Sequence, residues 1–557
     1  MQNTSLMKGP SDPSRSARLQ QRLVEVDAAM RRSDMDEAAR LADQATAEGL
    51  EHPGLLNLVA SARFHEGRRE EALVLLKRAR TLAPADPHVL NGLGLCLKAL
   101  GRFGEAKEAY DAALRADRNH APASFNKGTL LEEENDPTGA RACYERAAAL
   151  QADYMEPLAA LAWLAVQNGD APEARLYGRK ALALDPRHVV ARMALAFADL
   201  QSRDFAAADA LLAELRRDEG VSPQNRAIVL GLLGDLRDGQ GRTAEAFSAY
   251  QACKAGLRTI YAPQFEQAGV PSALARVERL TAYFETASPE IWGHAPEARP
   301  RAADPARHVF LVGFPRSGTT LLENVLAGHP SVVSLEERDC LAPAIRDYLA
   351  PGGDIERLAR IGSGEALRRR ESYWAAVRSF GVEPRGRAFI DKMPLASLNL
   401  PLIAKLFPKA KVLFARRDPR DVVLSCFRRR FGMNPSMYQL TTLEGAAAYY
   451  AAAMRLVEIY RQRLPLDLHV VRYEDLVEDF DGTAGAACAF LGLEWSDGMR
   501  DFAGKARARG IATPSAAQVV RGLNREGQGA WRRYRDQMSS VLPLLQPWVE
   551  AFGYPAA

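Results

Sequence analysis

The stretch HVFLVGFPRSGTTLLENVLAGHP, residues 308–330, decides the fold of the second half of the chain. His308–Val312 is a short apolar run that reads as a buried strand, Gly313–Gly318 as a loop, and Thr319–Ala327 as the start of an apolar-periodic helix. Strand, glycine loop and helix in that order aim backbone N–H groups and a helix dipole at an anion. Gly313 and Gly318 have the G-x-x-x-x-G spacing of a nucleotide phosphate loop, but Thr319 stands where that loop carries its lysine. Nothing then spans the β- and γ-phosphates of a triphosphate, which counts against a P-loop nucleotide kinase. Arg316 supplies a cation inside the loop instead.

A second segment, AKVLFARRDPRDVVLSCFRRRF (410–431), repeats the arrangement. Val412–Ala415 reads as a strand, Arg417 stands at its end, and Ser425 follows eight residues later on one face of the next helix. A guanidinium and a hydroxyl converging at the carboxyl end of a strand suit a second phosphate. Arg428–Arg430, taken alone, read as a solvated basic run. SLEERD (334–339) adds two adjacent carboxylates, Glu336 and Glu337, after the first helix. Lys392 follows a strand, AFID (388–391), and should not pair with Asp391, because adjacent strand side chains face opposite ways.

These segments resemble the 5′- and 3′-phosphate-binding motifs of sulfotransferases, over about residues 306–557. The likeness is greatest to the tyrosylprotein and bacterial repeat-fused members, and it extends through FIDKMPL (389–395), VVRYEDL (470–476) and TPSAAQVVRGLN (513–524). The resemblance implies an α/β P-loop-like parallel-sheet domain. It implies 3′-phosphoadenosine 5′-phosphosulfate as co-substrate, no metal, and transfer to an acceptor hydroxyl, with tyrosine the first candidate and carbohydrate or lipid open. Arg316, Ser317, Gly318, Thr319 and Thr320 are then expected to hold the 5′-phosphosulfate end. Arg417, Ser425 and Arg429 are expected to hold the 3′-phosphate, with Tyr473 and Asn524 near the nucleotide. The family's catalytic glutamate lies eight residues after the H-P histidine, which here is His329 and gives Glu337; Glu336 is the alternative. Burial near an apolar acceptor site would raise the pKa of this base. His329 itself is expected to order its loop. Lys392 is implied beside the transferring group, and Ser515 beside the leaving phosphate. Ala530 departs from the pattern, standing where the tyrosylprotein enzymes carry a lysine before tryptophan; Arg532 or Arg533 could compensate.

The front half is organised differently. Ala72, Ala106, Ala140, Ala174 and Ala208 recur every 34 residues, and Ala79, Ala113, Ala147 and Ala181 form a second ladder. Small residues at Gly94, Gly128, Ala162 and Ala196 and turn positions at Gly67, Gly101, Asn135 and Gly169 keep the same step. Each unit splits into two apolar-periodic stretches, and such a hairpin buries its apolar face only by stacking on neighbours. The pattern resembles the tetratricopeptide repeat. It implies an all-α superhelical array with a groove that takes a protein or peptide. Arg203 replaces the turn glycine, and Ala246 is offset to 38 residues after Ala208. The expected organisation is a polar tail (1–18), a repeat array (19–257), a helix with a Pro-rich linker (258–305) and the sulfotransferase-like domain (306–557).

Charge follows that division. The net charge of +4 separates into 35 Lys+Arg against 27 Asp+Glu over 306–557 and 38 against 42 elsewhere, so +8 and −4. The basicity belongs with an anionic nucleotide donor, with no nucleic acid invoked. Six cysteines without a C-x-x-C pair read as reduced thiols. No apolar run is long enough to span a membrane, and the polar start lacks a signal-peptide core, so a cytoplasmic location is expected. A non-catalytic repeat adaptor with a vestigial nucleotide domain is the competing reading of another class.

Overall fold

The structure, a computed structural model, describes residues 13–134, 136–293, 304–509, 519 and 522–556. The chain forms two compact units, Met1–Leu161 and Ala162–Ala557. Among the described residues, Pro13–Phe265 contains fourteen helices in successive pairs, each pair joined by a short turn. The first helix, Pro13–Arg31, begins inside the stretch read from sequence as a tail.

The turns follow the 34-residue step. Gly67, Gly101 and Gly169 have φ of +81°, +73° and +83°, and Arg203 takes the same left-handed conformation at +61°. The turn geometry is therefore kept at Arg203 although its side chain disfavours it. Packing between the paired helices follows a size rule. Where the small position is glycine, a buried tyrosine lies sixteen residues on: Gly94 with Tyr110, Gly128 with Tyr144, Gly234 with Tyr250. A Cβ on these glycines would come within 2.4–2.6 Å of the tyrosine ring. Where the small residue is Ala162 or Ala196, the partner position holds Gly178 or Leu212 instead of tyrosine. Gly128→Ala should consequently lower stability by about 1–2 kcal/mol despite alanine's better helix propensity, because overpacking outweighs that gain. An unchanged Tm would remove the size rule.

The second unit holds the later repeat helices and one parallel sheet. Its strands are β1 (Arg307–Gly313), β2 (Val332–Glu336), β3 (Ala388–Lys392), β4 (Lys411–Arg416) and β5 (Asp467–Arg472), in the order β2-β3-β1-β4-β5. Both faces of β1 are covered: Phe310 and Val312 enter one buried cluster, Val309 and Leu311 the other. This is why the strand sequences are continuous apolar runs and not alternating ones. β2 and β3 lie on one side of β1 and β4 and β5 on the other, and the carboxyl ends of β1 and β4, side by side, frame the crevice where such sheets bind ligands.

The first of these clusters also contains Phe247 and Tyr250 from the last repeat helix, Thr243–Phe265, and Val277, Leu280 and Phe284 from the following helix, Ala273–Thr286. Here the structure departs from the expected division. The compact boundary falls at Leu161/Ala162, inside the array, and the last repeat contributes side chains to the core of the sheet domain. No helix among the described residues is long and apolar enough to cross a membrane.

Candidate active site

The phosphate loop runs from the end of β1 into the helix Thr319–Ala327, whose N-cap, Gly318, has φ +101° and no side-chain capping bond. The first N–H groups of any helix have no intrahelical carbonyl to bind, which is what lets a helix N-terminus receive an anion. Gly318 is required here twice. Its φ is left-handed, and a Cβ would lie 2.9 Å from the Tyr473 ring. Gly313 is equally confined, since a Cβ there would lie 2.6 Å from Ser317 Oγ and 2.7 Å from the Ala415 carbonyl. The loop is pinned from outside: Ser397 Oγ donates to the Gly313 carbonyl at 2.8 Å, and Cys426 Sγ to the Pro315 carbonyl at 3.2 Å. Ser317 Oγ is buried with no hydrogen-bond partner among the described residues. A hydroxyl in that position is costly unless an acceptor arrives.

Arg316, at φ +70°, donates its Nε to Ser425 Oγ at 3.0 Å. Arg417 follows β4 and donates Nη1 to the Arg316 carbonyl at 3.1 Å and Nη2 to the Gly527 carbonyl, with its guanidinium 4.7 Å from the centre of the Tyr473 ring. Its Nε is buried without a partner among the described residues. Burial pushes the Arg316 guanidinium down to about 9, and the positive charges of Arg429 and Arg417 add to the effect. Arg316 is thus within electrostatic reach of the other two arginines expected to hold a phosphate. The rest of the R-D-P-R-D motif is scaffolding. Asp418 caps the helix Pro419–Arg428 and holds Arg420 at Nε (3.0 Å) and Nη2 (2.7 Å). Asp421 accepts from the N–H groups of Gly529 (2.7 Å) and Trp531 (2.9 Å), fixing the turn that bears Ala530.

A second cluster lies across β1. Lys392, the last residue of β3, pairs in register with Leu311 and Glu336. It is fully buried, and its Nζ donates to Glu337 Oε1 at 2.7 Å, with Glu323 at 3.5 Å and Glu336 at 3.6 Å. Burial alone would lower its pKa; the Glu337, Glu323 and Glu336 carboxylates together override that and raise it, so the ammonium persists. Asp391 faces the other way, as the pleat requires, and accepts from Tyr373 Oη at 2.7 Å. Burial pushes Asp391 up to about 7. Glu337 sits just past β2 at φ +43°, its N–H bonded to the Lys392 carbonyl at 2.9 Å. Arg316 and Glu337 are two of only four described non-glycine residues with left-handed φ, a conformation costing about 1–3 kcal/mol. The other two, Ser33 and Arg203, are repeat turns.

The expected burial of the base falls elsewhere. The Glu337 side chain is 28% exposed, and the carboxylate buried to 0% is Glu323, which sequence reasoning passed over. Its signal was the single charged residue in the helical stretch TTLLENVLA. His329 orders its loop as expected, with Nδ1 accepting from the Ser331 N–H at 3.0 Å and Nε2 in contact with the Glu494 carbonyl at 3.1 Å. Asn524 is not drawn into the cluster: its described hydrogen bonds go to the Gly522 carbonyl and the Glu526 N–H, within its own turn. Arg533 pairs with Asp238 at 2.9 Å, and Arg532 lies exposed over the Trp531 ring. Ser515 lies outside the described residues.

Residues 308–497 match the family model described as "Sulfotransferase family". The sheet domain is a sulfotransferase domain. Tetratricopeptide-repeat models match 63–125 and 165–229, and 23–87 and 126–189, so the repeats precede and partly lie within the unit that carries the sulfotransferase domain. Among curated relatives, protein-tyrosine sulfotransferase 2 of Gallus gallus is 27% identical over 260 residues, covering 42% of this chain and 67% of the relative. Protein-tyrosine sulfotransferase 1 of Danio rerio is 27% identical over 264 residues, covering 44% and 72%. An uncharacterized protein of Aquifex aeolicus is 25% identical over 247 residues, and the match spans only 32% of its length. The chain thus joins a repeat array to a sulfotransferase domain whose Gly313–Gly318 loop is followed by Thr319 and not by lysine.

Proposed function

We propose that the chain transfers a sulfuryl group from 3′-phosphoadenosine 5′-phosphosulfate to an acceptor hydroxyl, with a protein tyrosine the first candidate, and that its repeats recruit the acceptor-bearing protein or peptide. The observation that carries this reading is Arg316 in the loop before the helix Thr319–Ala327, bonded to Ser425 and to Arg417, its guanidinium lowered by burial and by the positive charges of Arg429 and Arg417. Such an arrangement suits a multiply anionic ligand and is unfavourable without one. The partnerless Ser317 Oγ fits the same ligand. The names of the curated relatives favour tyrosine as acceptor.

When bound, the donor would supply a sulfuryl group whose departure leaves charge on a phosphate. The loop N–H groups and hydroxyls of Arg316–Thr320 would hold the 5′ end, and Arg417, Ser425 and Arg429 the 3′-phosphate. Tyr473 would lie against the nucleotide, Asn524 close by, and Ser515 would assist at the leaving phosphate. Lys392 would offset charge developing on the bridging oxygen, and Glu337 would take the acceptor's proton on its carboxylate. The neighbouring carboxylates leave Glu337 free to do so: when it turns to an acceptor, buried Glu323 and half-buried Glu336 still neutralise Lys392.

The test is to incubate the purified chain with sulfur-35-labelled donor and tyrosine-bearing acceptors, including a cell lysate, and to identify labelled products. Label on a hydroxyl without added metal is expected. Turnover that depends on Mg-ATP would replace this reading with a kinase. Nucleotide binding with no transfer to any acceptor would replace it with an adaptor.

A further inference from the structure

The last repeat does more than extend the array. Its helices, Pro223–Gly239 and Thr243–Phe265, grip the three arginines that close the helix Pro419–Arg428. Arg428 pairs with Asp238 and lies over the rings of Tyr250 and Tyr534, at 5.2 and 5.4 Å. Arg430 Nη1 is 3.6 Å from Asp235, and it lies so close to Gly231 that a Cβ there would be 2.3 Å from Nη1. Between them, Arg429 is held by its backbone: Lys254 Nζ donates to the Arg429 carbonyl at 2.6 Å. Lys254 is 1% exposed, and a buried ammonium is an expensive way to satisfy one carbonyl. A neutral donor or a water would serve that carbonyl if packing were all that mattered. Asp238 also receives Arg533 and Tyr534, from the segment that carries Gly527 and the Asp421-bound turn. Arg429, expected at the 3′-phosphate, and the segment whose Gly527 carbonyl accepts from Arg417, likewise expected there, are thereby anchored to one repeat.

We propose that Lys254 and Asp238 of the last repeat are positioning residues for the 3′-phosphate subsite, so that the repeat array sets how strongly this domain discriminates a 3′-phosphorylated nucleotide. The proposal rests on the nucleotide reading given above. Neither residue is proposed to touch the ligand; both act through the Arg428–Arg430 backbone and the Tyr534 segment.

Calorimetric titration of the full chain with adenosine 3′,5′-bisphosphate and with adenosine 5′-monophosphate separates the outcomes. The wild type should bind the bisphosphate at least tenfold more tightly; equal affinities would overturn the nucleotide reading itself, and this proposal with it. In Lys254→Met the preference should fall about tenfold while affinity for the monophosphate stays within about twofold. A general loosening of the fold would weaken both ligands alike and leave the ratio intact, which would count against a positioning role. Asp238→Asn, which keeps the side-chain shape, should reduce the ratio in the same direction and decides the matter if Lys254→Met does not fold. A wild-type ratio in the folded variants would overturn the proposal.

Discussion

Glu337→Gln is expected to cut sulfuryl transfer by about 10²–10⁴-fold while leaving affinity for adenosine 3′,5′-bisphosphate nearly unchanged. Glutamine keeps the shape and can still meet Lys392, but it cannot take a proton at the working pH. Lys392 should survive the change as an ammonium, because Glu323 and Glu336 remain 3.5 and 3.6 Å from it. The loss should therefore fall on the chemical step alone, read as kcat in a labelled-sulfate assay beside unchanged calorimetric binding. Unaltered turnover would remove Glu337 as base and turn attention to Glu336, whose side chain is the next most exposed of the three.

Arg417→Ala should do the opposite and weaken bisphosphate binding by on the order of 100-fold, about 3 kcal/mol, within the range for truncating a buried charged hydrogen-bonding partner. Arg417 is 7% exposed and ties together the phosphate loop, the Gly527 turn and the Tyr473 ring. Its removal withdraws a cation from the ligand and also frees the Arg316 carbonyl. Arg417→Lys should recover only part of the affinity, since an ammonium cannot make two divergent hydrogen bonds in the plane of a fork. Unchanged binding in Arg417→Ala would sink its assignment to the nucleotide.

What the sequence disclosed was whatever is written locally. The alanine and glycine ladders report helix pairs because each column touches its own hairpin. The two strand–loop–helix segments were legible because turn glycines, apolar runs and strand-end arginines lie within about twenty residues of one another. The opposite facing of Asp391 and Lys392 followed from the pleat alone. Glu323 was missed for the converse reason: its partner Lys392 stands 69 positions away on another strand, and a lone acid in a helix looks solvated until that strand is in place. Arg428–Arg430 looked like a solvated run because Asp235, Asp238 and Lys254 are nearly two hundred residues upstream. The engagement of Arg533 by Asp238, 295 positions upstream, was hidden in the same way.

The place where the chain divides has a practical meaning for anyone cutting it. A fragment beginning at the Pro-rich linker would leave behind Phe247 and Tyr250, baring the aromatic faces of Phe427 and Tyr534 and freeing Arg428 from its acid. Such a piece would be sticky and misaligned even with every motif residue present. A cut that keeps the sheet domain's core whole therefore belongs inside the array, where the compact unit Ala162–Ala557 begins, and not at the linker.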